Sequence, residues 1–94
     1  MSTEDTEVAG GAVWHVYLIE CVDGSLYTGI STDVERRFQE HLAGKGARYT
    51  RSHKPLRVVA SRPVGNRSEA LSVELAIKRL PKQKKIAALL TGDV

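Results

Sequence analysis

Two short β-branched and aromatic runs open the patterned part of the chain. Val13, Trp14, Val16, Tyr17, Leu18, Ile19 and Cys21 predict a strand over 13–21, and Leu26, Tyr27, Thr28 and Ile30 predict its partner over 26–30. Val22-Asp23-Gly24 between them is a turn signal, and the length of that turn decides which side chains share a face. A two-residue Asp-Gly loop would pair Glu20 with Tyr27 and set Tyr17 and Tyr27 on opposite faces. A three-residue loop, with Gly24 in the left-handed position of a bulge, pairs Ile19 with Tyr27 and Tyr17 with Gly29. Both phenols then share a face, and Gly29 leaves room beside Tyr17 for a ligand. We expect the three-residue loop.

The period then changes. Thr32-Asp33-Val34-Glu35 reads as a capping box, with the hydroxyl of Thr32 at the N-cap and a glutamate three residues on. It predicts a helix to about residue 43, with Gly44 as its stop. Residues 45–54 read as a polar, basic connection. A third strand follows over 56–61, closed by Pro63. Asn66 or Ser68 caps a second helix reaching about residue 80. Pro81 cannot continue that helix without a kink and is well placed to begin a third, through residue 90. The order β-β-α-β-α-α, with hairpin-joined strands, defines an α+β domain with a small, mainly antiparallel sheet. No repeat or linker divides it, so residues 13–94 are expected to fold as one domain behind a flexible tail, 1–12.

A helix turns about 100° per residue, so spacing assigns faces. On the first helix Val34, Phe38 and Leu42 form the expected buried stripe, with Arg37 and His41 along one shoulder and Arg36 facing solvent. Each of the two shoulder residues has an ordinary reading, as a packed stem with a surface partner or as a capping imidazole. On the second helix Ala70, Leu71, Val73, Leu75 and Ile77 make a wide apolar arc, and Glu74 falls near its centre. A carboxylate there costs several kcal/mol unless it is paired, hydrogen-bonded or metal-bound. It reads either as a salt bridge to Arg37 or Lys78, or as an oxygen ligand for Mg²⁺.

Composition narrows the class. An apolar fraction of 41% with 27% charged residues is that of an ordinary globule, and no apolar run approaches a membrane span. The N-terminus lacks a basic-then-apolar signal pattern, which points to a cytoplasmic protein without a membrane partner. Cys21 is the one cysteine, so no intrachain disulfide or cysteine-based zinc site exists, and it reads as a buried thiol. The tail holds Glu4, Asp5 and Glu7 and no base, leaving 14 basic residues against 8 acidic ones in the remainder. That excess favours a phosphate-bearing partner. A phenol, a guanidinium, an imidazole and a partly buried carboxylate are together what phosphodiester hydrolysis requires.

Val16-Tyr17, Tyr27-Thr28-Gly29, Asp33-x-x-x-Arg37-x-x-x-His41 and the later Glu74, in this order and spacing, resemble the GIY-YIG nuclease family from about residue 13 to 90. The chain length and the segment Gly44-Lys45-Gly46-Ala47-Arg48 resemble the short, stand-alone bacterial members, most of them uncharacterised. The first motif's Gly-Ile is His15-Val16 here and the second motif's Ile is Thr28, changes that keep both strands and both tyrosines. The resemblance implies a three-stranded antiparallel sheet flanked by helices and a site formed by Tyr17, Tyr27, Arg37, His41 and Glu74. It implies Glu74 as the ligand of Mg²⁺ or Mn²⁺, and an endonuclease acting on DNA or RNA. Arg37 would answer the phosphate, while the general base stays open between Tyr17, Tyr27 and His41. For a phenol to serve, nearby positive charge must lower its pKa from about 10. Arg48, Arg51, His53, Lys54, Lys82, Lys84 and Lys85 are candidates for backbone phosphates. No separate DNA-recognition domain or extra metal-site asparagine is evident, which leaves specificity to nucleic-acid shape or to a partner protein. Two alternatives remain: a non-catalytic nucleic-acid-binding module of the same fold, and an interaction domain in which Arg37 and Glu74 form a structural ion pair.

Overall fold

The computed structural model describes residues 12–94; the acidic stretch at 1–11 lies outside the described residues. In chain order the elements are β1 (Trp14–Cys21), β2 (Leu26–Ser31), α1 (Val34–Leu42), α2 (Arg48–Ser52), β3 (Pro55–Gly65), α3 (Arg67–Lys78) and α4 (Lys82–Thr91). The three strands form one antiparallel sheet in the order β2-β1-β3. The expected α+β class and sheet are present, with one helix more than the hydrophobic pattern announced. That helix, α2, is five residues long and polar, so it has no apolar period to read.

Alternation along the central strand builds two cores. Val16 and Leu18 point to the face covered by α3 and α4, packing with Ala60, Ala70, Ile77 and Leu89. Tyr17, Ile19 and Cys21 point to the other face, against Val34 and Phe38 of α1 and Tyr49 of α2. Cys21 is buried and free, as a plain thiol. Among the described residues no helix is long and apolar enough to cross a membrane.

Four local expectations change. The N-cap of α1 is Asp33, which accepts from Arg36 N at 3.0 Å, because β2 runs on through Ser31 and the helix starts a residue later than a Thr32 cap allows. Ser31 Oγ in turn accepts from Asp33 N at 2.9 Å. Strand β3 passes through Pro63 to Gly65, since it is an edge strand and the missing N–H of a proline costs an edge strand little. In α1 it is His41, not Leu42, that is buried; Leu42 is 48% exposed. In α3 Leu71 and Leu75 are exposed as well, so the inward stripe narrows to Ala70, Val73, Glu74 and Ile77. Asn66 rather than Ser68 caps this helix, in a full capping box with Glu69.

Candidate active site

The β1–β2 turn is the three-residue form. Gly24 adopts φ 86° and its N–H bonds Cys21 O at 2.8 Å. The resulting register sets Tyr17 opposite Gly29 and Ile19 opposite Tyr27, so both phenols lie on one face with ring centroids 6.3 Å apart. The room at Gly29 is not a ligand space. A Cβ there would stand 2.5 Å from Tyr17 Oη and 2.9 Å from Tyr27 Cε2, so the glycine is what lets the two phenols close over the strand. Tyr17 is 1% exposed and lies deep, whereas Tyr27 remains half-buried above it.

Helix α1 brings Arg37 and His41 to this pair. The Tyr17 hydroxyl and His41 Nε2 are 2.8 Å apart. The other ring nitrogen, Nδ1, is 2.7 Å from Thr50 Oγ1 of α2. The Arg37 guanidinium approaches the Tyr17 hydroxyl and is held by Glu40 Oε1 at 2.8 Å. Burial, reinforced by the Tyr27 phenol, pushes the Tyr17 pKa well above the ordinary phenol value, and the Arg37 charge does not compensate. Burial likewise raises Tyr27. Arg37 does pull both phenols down, but desolvation outweighs it, so Arg37 by itself does not make either phenol a base. His41 moves the other way, depressed first by burial and then by Arg37, so a neutral imidazole is favoured.

Glu74 arrives from the opposite layer. Its helix packs on the other face of the sheet, yet its charge is felt at both phenols, which puts it at the β2 edge where the two layers meet. Its side chain is 16% exposed and pairs with Lys78 Nζ at 3.4 Å. Arg37 pairs with Glu40 and Glu74 with Lys78, so the structural Arg37–Glu74 ion pair is not the arrangement adopted. Beside the site, Leu26, Tyr27, Thr28, Tyr49, Lys78 and Lys85 line an open groove of about 300 Å³.

The donor set can be tested against a cation. Among the described residues no three His, Cys, Asp or Glu side chains gather, which does not suit the three or four protein ligands of zinc. Mg²⁺ keeps several waters and takes one or two carboxylates plus substrate phosphate, and one partly exposed carboxylate near two phenols fits that habit. The ammonium of Lys78 occupies the same carboxylate and would be displaced.

The candidate phosphate contacts have different surroundings. Arg48, Arg51 and Lys54 are exposed on and after α2. His53 stacks on Tyr49 at 4.0 Å and pairs with Asp23 at 2.7 Å. Lys82 lines a cleft with Glu20 and Arg57, whereas Lys84 lines another, with Asp93 and Val94. Lys85 Nζ donates to Ile77 O at 2.8 Å and Lys78 O at 3.2 Å, closing the end of α3, while its side chain also lines the groove beside Tyr27. Sequence reasoning missed Thr50, Tyr49 and Glu40. Thr50 and Tyr49 lie in the basic segment without apolar period, and only the i, i+3 spacing from Arg37 could have marked Glu40.

The domain is thus an α+β fold in which a hydrogen-bonded phenol–imidazole pair and an arginine lie on one face of a three-stranded sheet, with a lone carboxylate reaching them from the other layer. Residues 13–87 match the GIY-YIG catalytic domain. The chain belongs to the GIY-YIG family. A UPF0213 protein of Cupriavidus pinatubonensis is 60% identical over 74 residues, 79% of this chain and 82% of that protein. The UPF0213 protein YhbQ of Escherichia coli O127:H6 is 49% identical over 81 residues, 86% of this chain and 81% of its own. The solution NMR structure of the protein EF2693 from E. faecalis shares the fold with a TM-score of 0.59 at 36% identity, over 86% of both chains. The relatives are short, stand-alone bacterial proteins.

Proposed function

We propose that the chain is an endonuclease that hydrolyses phosphodiester bonds of nucleic acid, DNA before RNA, with Mg²⁺ or Mn²⁺ as cofactor. The observation that carries this reading is the gathering of Tyr17 and Tyr27, from two neighbouring strands, with Arg37 and His41 of α1, within electrostatic reach of Glu74 from the opposite layer. Glu74 is the residue that would hold the metal, which when bound would supply positive charge to offset the negative charge growing on the phosphate.

The protein's own groups do the rest. Arg37 turns from Glu40 to the phosphate and donates to its oxygens as negative charge grows there. With both phenols raised by burial, neither is a base by itself. Tyr17 has a base behind it in His41. Tyr17 is 1% exposed, so in this reading Tyr27 and Arg37 must move apart on substrate binding for water to reach its hydroxyl. The attacking water gives its proton to Tyr17 Oη while the phenol's own proton passes to His41 Nε2. The hydroxide oxygen bonds phosphorus, the P–O3′ bond breaks, and the 3′-oxygen is protonated from solvent. Tyr27 covers the site and lines the groove, where an adjoining nucleotide would lie.

The test is a cleavage screen over single-stranded, branched and duplex DNA and RNA with Mg²⁺ and Mn²⁺ titrated. Glu74→Ala and Arg37→Ala should abolish nicking while binding stays within about 3-fold, because each removes one group of the reacting centre rather than the basic surface. No cleavage of any substrate overturns the reading. Salt-dependent binding that is indifferent to Glu74→Ala, without cleavage, would support the non-catalytic binding module instead. That alternative is favoured by the Lys78 ammonium already seated on Glu74.

A further inference from the structure

We propose that Thr50 is a positioning residue: its hydroxyl fixes His41 as the Nδ1–H tautomer, so that the Nε2 lone pair faces Tyr17. The catalytic consequence rests on the nuclease reading above; the tautomer does not.

Proton accounting assigns every bond in the chain. Thr50 Oγ1 lies 3.0 Å from Ala47 O. A carbonyl only accepts, so the single hydroxyl proton of Thr50 is committed there. What remains on Oγ1 is acceptor capacity, and His41 Nδ1 at 2.7 Å must therefore be the donor. A neutral imidazole carries one N–H, which leaves Nε2 as an acceptor at 2.8 Å from the Tyr17 hydroxyl. The bonds all run one way, from Tyr17 through His41 and Thr50 to the Ala47 carbonyl.

The surroundings enforce this direction. His41 is 1% exposed and Thr50 2%, so water cannot replace either partner. The groups facing the imidazole are Tyr17 from β1, Tyr27 from β2, Arg37 and Glu40 from α1, and Thr50 from α2. The connection ahead of α2 closes on the ring so tightly that a Cβ at Gly46 would stand 2.7 Å from both His41 Cγ and Cε1. When Nε2 accepts the phenol proton, His41 becomes an imidazolium whose Nδ1–H still has Thr50 as its acceptor. No bond is lost on protonation. Were the tautomer reversed, Nε2–H would have to donate to Tyr17, and the proton route from the phenol would be closed.

The experiment is two-bond ¹H–¹⁵N correlation NMR of the full chain at neutral pH, with His41 assigned against His41→Gln. The expected result is a protonated Nδ1 and an unprotonated Nε2 in the wild type. In Thr50→Val, Nδ1–H loses its acceptor, the Nε2–H tautomer should appear, and kcat should fall on the order of 10²-fold with KM little changed. Thr50→Ser should restore both readouts, which a purely structural need for a β-branched side chain would not allow. Nε2–H in the wild type overturns the inference, as does Thr50→Val that keeps both the tautomer and kcat. If Thr50→Val fails to fold, the wild type and Thr50→Ser spectra still decide. Absence of cleavage overturns the nuclease reading without touching the tautomer.

Discussion

Replacing Gly29 with alanine tests the central geometry with a single methyl group. The new Cβ would stand 2.6 Å from Tyr17 Cζ and 2.9 Å from Tyr27 Cε2. Non-bonded carbons sit about 3.5–4.0 Å apart, so the Tyr17 ring must move by about 1 Å. The Tyr17–His41 bond is 2.8 Å, and a movement of that size in either direction takes it outside hydrogen-bonding range. Overpacking of this kind costs about 1–3 kcal/mol, and the smaller unfolded-state entropy of alanine returns roughly 0.4–1 kcal/mol. The net loss should be about 0–2.6 kcal/mol, read as a lower urea midpoint by fluorescence of Trp14. A misplacement of about 1 Å at a reacting group also costs on the order of 10²-fold in kcat. Asn66→Ala is the control: it removes the α3 capping box for about 1 kcal/mol and leaves the phenols alone. Its cleavage should therefore be unchanged at matched stability. Gly29→Ala with wild-type midpoint and wild-type cleavage would refute the argument that the glycine seats the two phenols.

Two further outcomes follow from the same geometry. His41 has a folded-state pKa below its ordinary value of about 6.5, so its stabilising contribution is complete above that pH and is lost as pH falls through the folded value, at up to about 1.4 kcal/mol per pH unit. The midpoint of unfolding should drop on acidification below pH ~6.5, and His41→Gln should flatten that slope; an equal slope in the variant refutes the assignment. Lys85→Ala removes the donor to the last carbonyls of α3 and should cost about 1 kcal/mol in denaturation while changing nucleic-acid affinity by less than about 2-fold. A large affinity loss without destabilisation would make Lys85 a phosphate contact after all.

Much of this was legible one-dimensionally. The three-residue turn at 22–24, the pairing of Tyr17 with Gly29 and the approach of Arg37 and His41 follow from periods of two and 3.6. Glu74 stood out because a carboxylate inside an apolar stripe is costly, and it is indeed mostly buried and paired. The inversion of Leu42 and His41 was not legible. Pattern counts apolarity, whereas His41 is buried because Tyr17 and Thr50, from two other elements, satisfy both its nitrogens.

What the amino-acid order determined alone is local: strand and helix periods, the turn that aligns two phenols, and a basic excess suited to phosphates. These depend on neighbours within a few residues, where backbone sterics and side-chain spacing dominate. Only the tertiary structure decided how burial shifts each titratable group and which partner each ring nitrogen meets. Burial raised the phenols and depressed the imidazole, and Thr50, from a helix with no apolar signal, took up its second nitrogen. Desolvation and hydrogen-bond direction depend on everything packed around a group, most of it distant in the chain, and for that reason no local pattern encodes them.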